Sequence, residues 1–347
     1  MENTTKTKKW EEVYTALASE IETGGYKTGD RFYTISEVSE KFMVSPITSR
    51  KALSVLAGKN IVIQKPRLGT IIKHAGRKKK QISFFIPGKE NAMDFGSLPL
   101  IYYEILKGAI QEASKEGFEI EFMKEEDFFK NGRTEPLLIF YSGENLCAAL
   151  NASGRRKNDF VLLHSPKPLM DFHTVRHNLR KAAYAATAHL LSRGHERIGF
   201  ISGSLKKESS LPRFEGYLDA LKEKGMPLDL QMIRETSGQR KDTINVMERF
   251  LSEEKPPTAI FAGNDTRALD VLEYCRLKTI KVPEELAVCG IDNIYESQIS
   301  EPALTTVDTG WAKIGEEGVK FIISGKAESS NFQDIVIEPE LIIRDST

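Results

Sequence analysis

Two polar clusters in the C-terminal half of this 347-residue sequence each close an apolar run of strand length. Thr258-Ala-Ile-Phe-Ala262 stops at Gly263-Asn264-Asp265, and Leu286-Ala-Val-Cys289 stops at Gly290-Ile291-Asp292-Asn293. Between them Ala268, Leu269, Val271, Leu272 and Cys275 recur at helical spacing, with Arg267, Asp270, Glu273 and Arg276 interleaved. Two strand–helix units in succession imply parallel strands, because a parallel pair needs a long crossover that a helix usually supplies. Carboxylate and amide groups are therefore expected at the carboxyl ends of neighbouring strands, where open α/β sheets bind ligands. The chemistry on offer is hydrogen bonding to a ligand. The chain has no Walker-type loop, no Gly-x-Ser-x-Gly, no dinucleotide-binding glycine triplet after its first strand and no Cys/His metal spacing. We expect no enzyme, no cofactor and no metal.

A second chemistry lies at the other end. Residues 1–80 carry 16 Lys/Arg against 8 Asp/Glu, and the remainder 33 against 41, so a net charge of zero hides a basic head on an acidic body. Such a head suits a polyanion. Helical spacing runs through Trp10, Val13, Tyr14, Leu17, Ala18 and Ile21, and a short second helix follows on Ile35, Val38 and Phe42, with Thr34 or Ser36 as its cap. Ser45 reads as an N-cap with Pro46 at the first helical position. In that third helix Ile47, Ala52, Leu53 and Leu56 are expected to face inward, with Thr48, Ser49, Arg50 and Lys51 on the exposed early turns. Ile61-Val-Ile63 and Thr70-Ile-Ile72 then form a hairpin whose tip is Lys65-Pro66-Arg67-Leu68-Gly69. Three helices and a hairpin make a winged helix-turn-helix over 1–75. Arg77-Lys78-Lys79-Lys80 marks a basic linker at 76–81.

Strand and helix patterns alternate from Ile82 onward, which argues for doubly wound parallel sheets. Strands are expected at 82–86, 118–122, 137–141, 160–163, 174–178, 197–202, 258–262 and 286–289. No apolar run approaches the length that crosses a bilayer, and the first ten residues lack the apolar core of a signal peptide. Cys147, Cys275 and Cys289 are scattered and read as reduced core thiols. The expected home is the cytoplasm.

Two resemblances sharpen this reading. Phe261-Ala-Gly-Asn264-Asp265, Val282-Pro283, Val288-Cys-Gly290-Ile-Asp292 and Glu301-Pro302-Ala-Leu304-Thr305-Thr306-Val307 together resemble the effector domain of the LacI/GalR family, a periplasmic-binding-protein-like fold. The stretches 186–203 and Arg213-Phe-Glu-Gly216-Tyr217 extend the likeness, which covers roughly 82–347. The head resembles the GntR family through Gly29-Asp30-Arg31-Phe32, Ile35-Ser-Glu37-Val38, Val44-Ser45, Arg50-Lys51-Ala52-Leu53 and Gly69-Thr70.

The first resemblance implies two lobes with a cleft between them: lobe 1 about 82–176 and 305–325, lobe 2 about 177–304 and 326–347. By position Arg213, Asn264 and Asp292 match family residues that touch bound sugars. Asp292 would accept hydroxyl protons, Arg213 donate, and Asn264 do both. Asp265 is expected to cap the next helix. Ser97, Tyr102, Tyr141, Glu144 and His164 lie near strand ends of the first lobe, with Ser97, Tyr102 and Glu144 as further ligand-contact candidates, and His177 stands where the family has an aspartate. Only residues 123–136 separate the second and third strands, where the family has a full helix.

The second resemblance implies a third helix in the major groove and a wing on the minor groove. Ser45, Thr48, Ser49, Arg50 and Lys51 are then DNA-contact candidates, together with Arg67 and Gly69 of the wing. The sequence departs from the family at Ser36 and Pro46, where arginines are usual. The expected function is a dimeric, sequence-specific transcriptional regulator, a repressor by the commoner logic. It would bind a palindromic duplex operator under control of a sugar-like effector, with a monosaccharide as the expected ligand. The alternatives are a regulator whose shortened lobe 1 binds nothing small, and a sugar-binding transport receptor.

Overall fold

The structure is a computed structural model, and it describes residues 9–65, 69–73, 80–87, 100–128, 136–141, 143–152, 159–325 and 331–347. They form two compact units, 1–80 and 81–347.

The first unit contains α1 (Lys9–Thr23), β1 (Arg31–Phe32), α2 (Ile35–Phe42), α3 (Pro46–Gly58), β2 (Val62–Lys65) and β3 (Gly69–Ile72). A capping box starts α2: the Thr34 hydroxyl accepts from the Glu37 N–H at 3.3 Å, and the Glu37 carboxylate accepts from the Thr34 N–H at 2.7 Å. Met43, with φ of 49°, ends α2 in the left-handed region and turns the chain toward α3. There the Ser45 hydroxyl accepts from the Thr48 N–H at 3.2 Å, and Pro46 occupies the first helical position, where its missing N–H costs nothing. The strands pair antiparallel in the order β1-β3-β2. Val13, Leu17, Ile21, Val38, Leu53 and Leu56 pack the core. This is the winged helix-turn-helix that the sequence predicts.

Two positions on α3 are exchanged relative to that prediction. Ile47, expected inside, is 81% exposed. Ser49, expected at the surface, is fully buried, with its hydroxyl 2.8 Å from that of Ser39 on α2. The inward stripe runs through Ser49, Ala52, Leu53 and Leu56 at three- and four-residue steps, and Ile47 falls off it.

The second unit opens with β4 (Lys80–Phe85), α4 (Leu100–Lys115), β5 (Phe118–Phe122), α5 (Glu125–Phe128), β6 (Leu137–Phe140), α6 (Glu144–Ala152), β7 (Phe160–Leu163) and β8 (His173–His177). It continues with α7 (Leu179–Ser192), β9 (Ile198–Ser202), α8 (Leu211–Glu223), β10 (Ile233–Glu235), α9 (Arg240–Leu251), β11 (Ala259–Ala262), α10 (Asp265–Leu277), β12 (Ala287–Cys289) and α11 (Tyr295–Ile299). Last come β13 (Thr306–Asp308), α12 (Trp311–Ile323), β14 (Asp334–Ile337) and β15 (Glu340–Ile342).

Three sheets divide these strands, the smallest being β13 paired antiparallel with β15. Lobe 1 has the order β14-β8-β7-β6-β4-β5 and lobe 2 the parallel order β10-β9-β11-β12. Each order reverses direction once, between β4 and β6 in lobe 1 and between β9 and β11 in lobe 2, and a crevice forms at such points.

The lobe boundaries differ from those expected. Residues 334–337 join lobe 1, pairing parallel with β8, and Ile337 enters the lobe 1 core beside Trp311 and Ile314. Residues 306–308 stay with lobe 2, where Val307 packs against Phe261 and Cys289. The return to lobe 1 therefore comes at Thr309-Gly310, and the last crossover lies between β14 and β15. An edge strand that pairs across more than 150 residues leaves no local trace of which sheet it will complete. Within 123–136 the described residues contain α5, and 129–135 lie outside them.

Close helix contact fixes lobe 1. A Cβ on Gly315 of α12 would stand 1.9 Å from the Ile105 carbonyl oxygen of α4, and one on Gly108 of α4 would stand 2.0 Å from that of Ala312. Only glycine allows the two backbones to approach this far.

Candidate ligand cleft and nucleic-acid interface

Asp292 follows β12 in a left-handed conformation, φ 118°, held there by its N–H donating to the Val307 carbonyl at 2.9 Å. Arg213 sits in the first turn of α8, and its Nη1 donates to the Ser209 carbonyl at 2.6 Å. Their side chains are 10% and 13% exposed and face one another at 3.8 Å, Arg213 Nη2 to Asp292 Oδ1, which is too long for a hydrogen bond. Asp292 Oδ1 and Arg213 Nε are both buried without a partner among the described residues. Burial pushes the Asp292 carboxyl up to about 7, against the pull of Arg213. Burial likewise lowers the Arg213 pKa, with Asp292 opposing. A donor and an acceptor thus stand side by side with bonding capacity unused, the arrangement that a vicinal pair of hydroxyls satisfies.

The cap expected of Asp265 falls to Asn264. Asn264 is the cap: its Oδ1 accepts from the Arg267 N–H at 3.1 Å, which leaves its amide N–H groups as what it could offer a ligand. Asp265 is instead buried and clamps two loops, accepting from the Ile294 N–H at 3.0 Å and from the Thr306 hydroxyl at 2.5 Å. The physical reason is the backbone: residue 264 is extended and residue 265 is already helical, so only the former can cap. Burial raises the Asp265 carboxyl to about 6. Arg267, which reads in the sequence as part of a polar helix face, is part-buried and donates from Nε to the Thr236 hydroxyl at 2.8 Å.

Lobe 1 contributes aromatic surface. Tyr102 of α4 stacks on Phe140 at the end of β6, with ring centroids 3.8 Å apart. His164, just past β7, lies 5.3 Å from Phe140, 5.1 Å from His177 and 4.9 Å from Trp311, and His177 lies 4.1 Å from Trp311. His177 Nδ1 is 2.8 Å from the Thr309 carbonyl, so it carries the proton and ties the two crossover segments together. His164 Nδ1, His177 Nε2 and Trp311 Nε1 have no partner among the described residues. Burial holds His177 down at about 4 and His164 well below its ordinary value, so both are neutral near pH 7. Trp311 escapes a reading of the sequence because the two histidines beside it come from more than a hundred residues away.

A cavity of about 950 Å³ lies between the lobes, lined by Tyr102, Phe140, Tyr141 and His164 from one side and by 206–209 from the other. The Tyr141 hydroxyl donates to Glu208 across it at 3.0 Å. A second cavity, about 500 Å³, adjoins Asp292, Asp308 and Trp311. Tyr102 lines the first of these cavities. Glu144 opens α6, and Ser97 lies outside the described residues.

On the head, Ser45, Arg50 and Lys51 are exposed and Thr48 is half-buried. The Lys51 ammonium stands 5.8 Å from the Trp10 ring centroid, leaning toward α1. Ser49 is withdrawn into the α2–α3 contact, so it offers the surface nothing. Gly69, with φ of 82°, starts β3 at the wing. Arg67 lies outside the described residues.

Comparison with known proteins covers both parts of the chain. Residues 9–72 match the bacterial regulatory proteins of the gntR family, and residues 187–347 match the periplasmic binding protein-like domain. The HTH-type transcriptional repressor PurR of Histophilus somni (strain 2336) is 32% identical over 173 residues, which is 50% of this chain and 52% of that protein. The chain thus spans about half the length of the curated relatives it matches. Among solved structures, a LacI transcriptional regulator from Bacillus cereus subsp. cytotoxis NVH 391-98 superposes with a TM-score of 0.63 at 24% identity, over 78% of this chain and 98% of that one. The transcriptional regulator CelR in complex with cellobiose superposes with a TM-score of 0.65 at 20% identity, over 97% of this chain and 99% of that one. These last two likenesses show the fold. The chain therefore joins a head that matches the gntR-family helix-turn-helix to a body that matches the periplasmic binding protein-like domain and shares its fold with solved LacI-type regulators.

Proposed function

We propose that the chain is a sequence-specific DNA-binding transcriptional regulator, acting as a repressor, whose operator affinity is set by a sugar-like effector held between the lobes. The PurR relatives are transcriptional repressors by name, and the gntR-family match falls on the basic head. The observation that carries the effector half is the Arg213–Asp292 pair, buried at 3.8 Å with Oδ1 and Nε unsatisfied. Buried polar groups are normally paired, and each unpaired one calls for an explanation. A ligand bearing adjacent hydroxyls supplies it, with the Tyr102–Phe140 stack offering an apolar face to a sugar ring. A monosaccharide is the simplest occupant. The working form in this reading is a cytoplasmic homodimer that places two heads on the two halves of a palindromic operator.

The short span between β5 and β6 favours a second reading, in which lobe 1 has lost its sensing role. A thermal-shift screen of the full chain against a panel of monosaccharides and disaccharides separates the two. A ligand that binds only the folded form raises the melting temperature of the body, by about 2.7 kcal/mol of stabilisation at a hundredfold excess over Kd. At least one sugar should do so. A flat response across the panel removes the sugar effector.

A further inference from the structure

The N-terminal turn of α3 shows carbon to the solvent. Met43 is 89% exposed and Ile47 81% exposed, and Pro46 beside them is exposed as well. The same helix face continues at helical spacing through Arg50 and Ser54, both exposed. A single exposed apolar residue needs no explanation, but three within five residues on a charged face do. The charge says what covers them. From Lys41 to Lys65 this unit exposes Lys41, Arg50, Lys51, Lys59 and Lys65 and has no Asp or Glu, so two such faces repel one another and a polyanion is the fitting occupant.

Hydrogen-bond donors are scarce in this turn. Pro46 has none on backbone or side chain. The Ser45 hydroxyl is committed to the Thr48 N–H and lies 2.9 Å from the Thr48 hydroxyl. Ser49 is buried. The turn therefore lacks the forked donor that reads guanine, and offers methyl and methylene groups instead. The major groove presents one apolar group among the four bases, the C5-methyl of thymine.

We propose that Ile47, flanked by Met43 and Pro46, is a specificity-determining residue that reads thymine C5-methyl groups in the major groove, while Arg50 on the same face holds the phosphates. The inference rests on the DNA-binding reading above and adds the base that the head selects. Each operator half-site then carries a thymine where the N-terminus of α3 enters the groove.

The test uses the full chain to select duplexes from a randomised pool, and then replaces each thymine of a selected site by deoxyuridine, which removes only the methyl. At one thymine per half-site the loss should weaken wild-type binding about fourfold, the value of one buried methyl-sized group. Ile47→Ala should bind the thymine site more weakly by a similar factor and should not sense deoxyuridine at that position. Its salt dependence should stay that of the wild type, because no phosphate contact is removed. Ile47→Val should recover part of the loss. Alanine is a strong helix former at an exposed site, so the variant keeps its fold. Enriched sites that tolerate deoxyuridine everywhere, or a penalty that is the same in wild type and Ile47→Ala, overturn the proposal while leaving the DNA-binding reading standing. A pool that yields no enriched sequence overturns that reading and the proposal with it.

Discussion

Asp292 makes a prediction that needs no ligand. Its carboxyl sits at about 7 in the folded chain against 3.8 for an unburied aspartate, with burial as the first cause. A carboxyl raised on folding binds its proton more tightly in the native state than in the unfolded one. Below about pH 4 both states hold the proton and the site is neutral to stability. As pH rises from about 4 toward 7 the unfolded chain ionises first, and the native state loses ground until its own carboxyl ionises. Three units correspond to roughly 4 kcal/mol at most, and residual solvation reduces this to about 2–4 kcal/mol. Asp292→Asn keeps the shape and removes the titration. The melting temperature of the variant, relative to wild type, should therefore climb between pH 4.5 and pH 8 by on the order of 5 °C. Calorimetry of the unliganded chain across that range reads it directly. Whatever constant cost comes from leaving Arg213 beside an amide cancels in the slope. A difference that is flat with pH would refute the argument. One that falls with pH would show that Asp292 is a satisfied ion pair, and the open arms at 3.8 Å would lose their meaning.

Three further predictions bear on other parts of the chain. Ser49→Ala should lower head stability by about 1 kcal/mol through the lost Ser39 contact, read by denaturant titration, and should leave duplex affinity at fixed stability unchanged. Gly315→Ala drives a methyl into the Ile105 carbonyl and should cost about 1–3 kcal/mol in the melting of the body. Arg50→Ala should weaken binding to all duplexes alike and reduce the salt slope of log affinity by about 1, measured by fluorescence anisotropy.

Much of this was legible in the sequence because it is local. Ser45-Pro46 announces a helix start by its own chemistry, and Gly290-Ile-Asp292 announces a strand end. Arg213 and Asp292 are placed by short motifs, and the structure brings them together although 79 positions separate them. What failed was angular or non-local. Ile47 and Ser49 differ by two residues, about 200° around a helix, so reading inward apolar residues by type alone put each on the wrong side. Asn264 and Asp265 are chemically interchangeable as caps, and only the backbone at 264 decides. β14 joins a sheet whose other strands end 157 residues earlier, so no window of sequence reveals its lobe. The cluster of His164, His177 and Trp311 assembles from three separated stretches, each of which looks like ordinary core.

The central claim is that a ligand in the cleft governs the grip of the head on DNA. Its influence can be no larger than its preference between the conformations of the body. The direct measurement is anisotropy of a labelled duplex, selected from a random pool, titrated with the full chain at several concentrations of a sugar that shifts its melting. Wild type and Asp292→Ala are compared. A charged acceptor in the site contributes about 1.5–3 kcal/mol, roughly ten- to a hundredfold in affinity. The variant should bind the duplex as wild type does without sugar, and should need ten- to a hundredfold more sugar for the same response. A variant that responds at the wild-type sugar concentration would take Asp292 out of the effector site and contradict the account.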